Sequence, residues 1–198
     1  GGFLRALPPE AHRHLRGQLI RIFTPDVVEA QRAWMDARVQ AAVTALAAAG
    51  PVQPHDVLHG LMFDLALRWF TGLEPSDPAA ARWKALYTQL AGPRDAAAYR
   101  ELEQLWRERE AVLAGPEAPA CHLATWLKAR GAGPDDPALR GHLLALLLAA
   151  WRDTGGLLDW IAYHLSGAPA WLDRVAAARE DGQIGVDRAR RPVETLHA

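Results

Sequence analysis

The stretch from Ala138 to Ser166 limits what this chain can fold into more than any other. It is strongly apolar, it opens on Asp135-Asp136-Pro137, and it contains no proline. Acids ahead of a proline are a helix-opening signal. Their carboxylates accept from the first free N–H groups, and a proline in the first turn sacrifices a donor that has no partner there anyway. At about 1.5 Å per residue the helix is about 40 Å long. A helix this apolar holds in water only when others wrap it, so it is expected to run through the middle of a helical domain. Its densest apolar run, Leu143 to Trp151, is far short of the roughly 20 residues that cross a bilayer.

The remaining punctuation is also that of helices. Pro8-Pro9 precede a segment from Glu10 to Ile22. Thr24-Pro25-Asp26 opens a long one from Asp26 to Ala49, which Gly50-Pro51 closes. There Val27, Trp34 and Ala41 recur at sevens, with Val28, Met35 and Ala42 beside them, which makes a stripe of helical width. Asp56 to Gly72 follows, with Leu58, Leu61, Met62, Leu65, Trp69 and Phe70 expected inward. Then come Pro78 to Ala91 and Asp95 to Ala114, the latter with Leu102, Leu105, Trp106 and Leu113 inward. Cys121 to Arg130 is short, Pro169 to Glu180 follows the long helix, and Asp187 to Ala198 is the last segment. No run alternates apolar and polar residues between turn signals, so no strand is expected. The expectation is one all-α domain over residues 1–198.

Composition excludes several function classes. Twenty-two Lys and Arg against 23 Asp and Glu leave a formal charge of -1, and the cations do not gather into a nucleic-acid stripe. One cysteine rules out an internal disulfide framework and suits a reducing compartment. A cytoplasmic protein, without nucleic-acid or membrane partners, is expected. The chain opens Gly1-Gly2-Phe3 without Met and stops inside a helical segment, as expected of a piece of a longer reading frame.

Several residues invite a sharp reading, and most of them have a blander one. His55 and His59 are four apart, but no third ligand stands at a recognisable zinc spacing, so a solvated helix face and no metal site is expected. Cys121 and His122 are adjacent and do not face each other on a helix, so an inert thiol is expected. The eight Trp residues fall mostly on apolar stripes, where core packing is the default. The run Arg107-Glu108-Arg109-Glu110 reads as a solvated face.

One segment goes beyond helix grammar. In Pro9-Glu10-Ala11-His12-Arg13-His14-Leu15-Arg16, His12 and Arg16 are four apart and share a face, so both can donate to one anionic group. Phe23-Thr24-Pro25 follows. This arrangement resembles the C helix of the cytochrome P450 family, and the segments after it resemble helices D through K of that family in unbroken order. Asp26 to Ala49 looks like helix D, Asp56 to Gly72 like E, the next two like F and G, and the short one like H. Ala138 to Ser166 looks like the long central I helix, and the last two like J and K.

The resemblance implies a partial P450-like fold and a set of roles. His12 and Arg16 would anchor the haem propionates. Ala150, Asp153 and Thr154, in Ala150-Trp151-Arg152-Asp153-Thr154, would line the oxygen side, with the acid and hydroxyl relaying protons. Glu194 would brace the core as the first residue of the family's Glu-x-x-Arg pair. The parent protein would be a haem-thiolate monooxygenase carrying haem b. It would oxidise a small apolar molecule with dioxygen, using electrons from a ferredoxin or a flavoprotein.

The chain departs from the family at three places. The family's Gly in the I helix is Trp151, its Arg in the K helix is His197, and its Cys-ligand loop and N-terminal region are absent from these 198 residues. No stably bound haem, and no oxygenase activity, is therefore expected of this chain alone. These departures support an alternative: some members of the family have lost haem and act as non-catalytic partners, for example of glycosyltransferases.

Overall fold

A computed structural model of the chain describes residues 8–48, 54–90, 95–130 and 137–180. Among them are eight helices and no strand. In order they are α1 (Pro9–Ile22), α2 (Pro25–Ala48), α3 (Pro54–Thr71), α4 (Pro78–Leu90), α5 (Ala96–Leu113), α6 (His122–Arg130), α7 (Pro137–Ser166) and α8 (Pro169–Glu180). The protein is all-α, and these helices lie within two residues of the expected boundaries. The segment Asp187 to Ala198 lies outside the described residues, and with it Glu194 and His197. None of the helices is long and apolar enough to cross a membrane among the described residues.

The punctuation acts locally, as expected. Asp95 caps α5, its carboxylate accepting from the Ala97 N–H at 2.8 Å and the Ala98 N–H at 3.1 Å. Asp77 does the same for α4 through the Ala79 N–H. Gly72 ends α3 in the left-handed region, at φ 68°, where glycine alone carries no steric penalty. A β-carbon there would also come within 2.6 Å of Pro119.

The chain divides into two compact units, residues 1–156 and 157–198. In the first, α2 packs on α3, α4 on α5, and α6 against α1, α3 and α5. The first half of α7 is buried along Leu139, Leu143, Leu147 and Trp151, a stripe repeating every four residues. Aromatic rings fill the space around it. Trp106 Nε1–H donates to the Tyr87 hydroxyl at 3.1 Å, and that hydroxyl donates to the Leu144 carbonyl at 3.3 Å. This chain of bonds ties α4, α5 and α7 together in the dry interior, where burial pushes the Tyr87 phenol well above its ordinary range. Phe63 stands edge-on to both Tyr87 and Trp151.

A buried ion pair joins α5 to α7. Arg140 grips Glu110 with both branches, Nε on Oε1 and Nη2 on Oε2 at 3.0 Å. Glu110 and Arg109 therefore depart from the expected solvated run. The reason is helical period: Glu110 falls four residues after Trp106 and eight after Leu102, on the buried stripe. Arg109 reaches the Thr71 carbonyl at 2.8 Å, and only Arg107 and Glu108 face solvent.

The stripe expected along α2 is only partly buried. Val27 is in the core, Val28, Trp34, Met35 and Ala42 are half-buried, and Ala41 is exposed. α3 is buried more completely than expected, taking in Phe63 and Leu67 as well, because it packs on both α2 and α6.

In the second unit, α7 passes to α8 through Gly167 and Ala168, whose N–H groups donate back to the Tyr163 and Leu165 carbonyls. Its rings sit at the surface: Trp160 stacks on His164, and Arg174 lies 4.2 Å over Trp171.

Replacing Glu110 by Ala removes the bidentate partner of a buried guanidinium and is expected to cost about 3–5 kcal/mol in urea unfolding. The paired change Glu110→Leu with Arg140→Met is expected to recover most of that loss.

Candidate functional site

A concavity lies in the first unit. It is an open cavity of about 550 Å³ lined by Phe23, Thr24, Pro25, Val28, Trp69, Phe70, His122, Leu146, Ala149 and Ala150. Its size falls within the about 300–1,000 Å³ of ordinary ligand pockets. Four local features build it. The Phe23-Thr24 break between α1 and α2 ends one helix and starts another, so its aromatic ring and hydroxyl are carried at a corner. The C-terminal end of α3 contributes Trp69 and Phe70 just before the Gly72 stop. α6 contributes His122 as its first residue. α7 contributes Leu146, Ala149 and Ala150, which follow one another at helical spacing on a single face.

His122 is buried, and its ring is packed by Phe23 at 4.3 Å, Phe70 at 5.3 Å and Trp69 at 6.4 Å between centroids. Its Nδ1 lies 3.2 Å from the Ile22 carbonyl. A carbonyl only accepts, so Nδ1 carries the proton and the neutral ring presents a lone pair at Nε2. Burial lowers the imidazole below its ordinary value, with the Ile22 bond opposing, so the ring is neutral at pH 7. Trp69 Nε1–H is buried and has no acceptor among the described residues.

The sequence-based site residues are distributed unevenly around this cavity. Ala150 lines it, as do Phe23, Thr24 and Pro25 of the motif that follows Arg16. Asp153 continues the stripe of Leu146, Ala149 and Ala150 one step further, but it is exposed, and so is Thr154. Among the described residues Arg68 does not pair Asp153; it bridges Glu74 and stacks 4.2 Å over Trp34. His12 is half-buried and Arg16 exposed, and neither lines the cavity.

Trp151 turns away from the cavity face. It is buried, donates from Nε1 to the His59 carbonyl at 3.0 Å, and stands edge-on to Phe63 at 5.2 Å. α7 runs as regular helix through residues 150–154, so no groove opens beside Thr154. His59 lies flat on Gly155: a β-carbon at 155 would meet its ring at 2.8 Å. His55 and His59 stack at 4.1 Å, with His55 exposed.

A thiolate-bound haem does not fit the residues present. Cys121 is fully buried, its Sγ accepts from the Ala124 N–H at 3.4 Å, and burial raises the thiol above its ordinary value. It serves as the first cap of α6 rather than as a ligand. No other cysteine exists in these 198 residues.

Sequence reasoning missed Trp69 and His122 as cavity residues. Adjacent aromatics at a helix end were a signal for the first. Nothing local marks His122, whose key partner is 100 residues away.

No family model matches the chain, and no curated protein matches it.

His122 makes stability depend on pH. Its folded value lies below the roughly 6.5 of an unfolded imidazole, so the unfolded chain takes up the proton first. Stability present above that value is lost as pH falls through it and levels off below the lowered folded value. The wild-type protein is expected to lose more stability between pH 7 and 5 than His122→Asn. Equal losses would show that His122 ionises freely in place.

Proposed function

We propose that this chain is the helical part of a cytochrome P450-like protein and receives a small apolar molecule in the cavity beside Ala150. The observation that carries the reading is a convergence. Phe23-Thr24-Pro25 and Ala150 belong to the two motifs on which the resemblance rests, and they are far apart in sequence, yet both line one apolar cavity. On this reading α7 is the I-type helix, and Asp153 lies at the mouth of its cavity-facing stripe.

The reading has two forms. In the first, the parent protein is a haem-thiolate monooxygenase with haem b and a ferredoxin or flavoprotein donor, and the molecule is its substrate. In the second, the protein is a haem-free, non-catalytic P450-like partner, such as an auxiliary of a glycosyltransferase. The second is favoured by Trp151, which is built into the core where the family keeps a Gly, and by the capped, protonated thiol of Cys121.

Naphthalene titrated into the protein is expected to change the Trp fluorescence saturably. Ala150→Phe, which fills the cavity, is expected to weaken that binding by at least about tenfold, whereas Arg16→Ala on the exposed face of α1 leaves it unchanged. A wild-type titration that never saturates would overturn the proposal. The two forms are separated by the absorption spectrum of the parent protein purified from its source. A thiolate-type Soret band would favour the oxygenase, and a protein that carries no haem would favour the non-catalytic partner.

A further inference from the structure

The two halves of α7 carry similar side chains and treat them differently. Leu139, Leu143, Leu147 and Trp151 are buried in the first half. In the second half Trp160 is 64% exposed and Tyr163 73%, with Leu157 and Ile161 open beside them. Trp171 and Leu172, in the first turn of α8, are exposed too. Leu157, Trp160, Ile161 and His164 stand at i, i+3, i+4 and i+7, so they share one face of the helix. At about 150–250 Å² for a large side chain, the open parts of the six apolar ones come to roughly 700 Å². That exceeds the about 300–600 Å² of the largest apolar patch on an ordinary monomer, which is the mark of an interaction surface.

The exposed rings are held in place. Trp160 stacks on His164 at 5.0 Å between centroids, Tyr163 stands edge-on to the same imidazole at 5.4 Å, and Arg174 lies 4.2 Å over Trp171. Rings fixed beforehand lose little freedom on association, so more of the buried area is left as affinity. Charge narrows the choice of partner. Residues 157–180 contain three acids, Asp159, Asp173 and Glu180, against Arg174 and Arg179. That is no basic excess to draw the face to an anionic lipid surface, and too balanced a set to select a strongly charged protein. A surface of balanced charge is matched by one like itself, and a chain with a formal charge of only -1 does not repel its own copies.

Area agrees with that match. Roughly 700 Å² per copy gives roughly 1,400 Å² in a pair, inside the about 1,200–2,000 Å² of stable interfaces. We infer that residues 157–172 form a homodimer interface, in which the second half of α7 pairs with the same segment of a second copy across a two-fold axis. In an antiparallel pair whose axis passes between Trp160 and Ile161, position 157 of each copy meets position 164 of the other. The contact is therefore self-complementary, as a two-fold interface must be. Trp160, nearest the axis and among the most exposed, is its energetic centre. The inference is independent of the small-molecule reading, because the cavity is lined entirely by residues of the first unit.

Sedimentation equilibrium of the 198-residue chain tests this. The wild-type protein is expected to reach twice its 21.7 kDa mass by a concentration of about 100 µM. Trp160→Glu places a like charge from each copy near the axis and is expected to weaken the dimer at least about tenfold. Its far-UV circular dichroism is expected to match the wild type, because the side chain it replaces is exposed. Trp171→Glu, further from the axis, is expected to weaken the dimer less. A wild-type chain that stays at 21.7 kDa at about 100 µM would overturn the proposal, whether or not it binds phosphatidylcholine vesicles or another protein. Masses that climb past the dimer with concentration would also overturn it, since a two-fold contact closes on itself. So would a dimer that both variants leave intact, which would place the contact elsewhere. The wild-type mass needs no variant, so it remains decisive if Trp160→Glu folds poorly.

Discussion

The grip of Arg140 on Glu110 governs the rest of the first unit. Two charges can be buried together only if the geometry satisfies both, and a bidentate fork has little rotational freedom. It therefore fixes how α7 is turned about its own axis. Once Arg140 faces α5, helical period assigns every later position. Leu144, Leu147 and Trp151 fall on the same side as Arg140 and enter the core. Leu146, Ala149 and Ala150 fall on a neighbouring side and line the cavity. Arg152, which belongs to neither side, is left to solvent. A rotation of one residue, about 100°, would turn the cavity face into the core and the core face toward solvent.

Several polar groups of the interior are tied down by hydrogen bonds in the same way. Tyr87 is held between a donor and an acceptor, Thr71 returns its hydroxyl to the Leu67 carbonyl, and Gln31 reaches the Ala120 carbonyl at 2.6 Å. Tyr87 joins three helices, Thr71 seals the end of α3, and Gln31 fixes α2 to the turn before α6. Trp69 Nε1–H and Gln31 Oε1 are among the buried atoms left without such a partner among the described residues.

The sequence was legible where its signals are local. Prolines, capping acids and the Gly at 72 are read by the residues next to them, and helix boundaries followed. Long-range pairing was not legible. Glu110 looked like one of a run of solvated charges until Arg140, thirty positions later, became its partner, although its spacing from Trp106 carried the hint. His122 gave no hint at all, since what makes it distinctive is a carbonyl at the end of α1 and rings from α3. The stripe of α2 misled in the other direction: an apolar face is an offer of burial, and only the part of α2 that meets α3 and the turn before α6 has it taken up. The residues singled out by the resemblance divided along the same line. Ala150 is small and apolar and fits a lining, whereas Asp153 and Thr154 are polar and sit where water can reach them.

Trp151 makes α7 and α3 depend on one side chain. Its indole bridges α7 to the backbone of α3 at His59 and props Phe63. Truncating a buried Trp typically removes about 3–5 kcal/mol, a large share of the about 5–15 kcal/mol that holds a domain together. A smaller residue at this position would be accommodated only if the surrounding residues were enlarged to occupy the vacated space. Trp151 and its neighbours on α3 therefore tolerate change together and not one at a time.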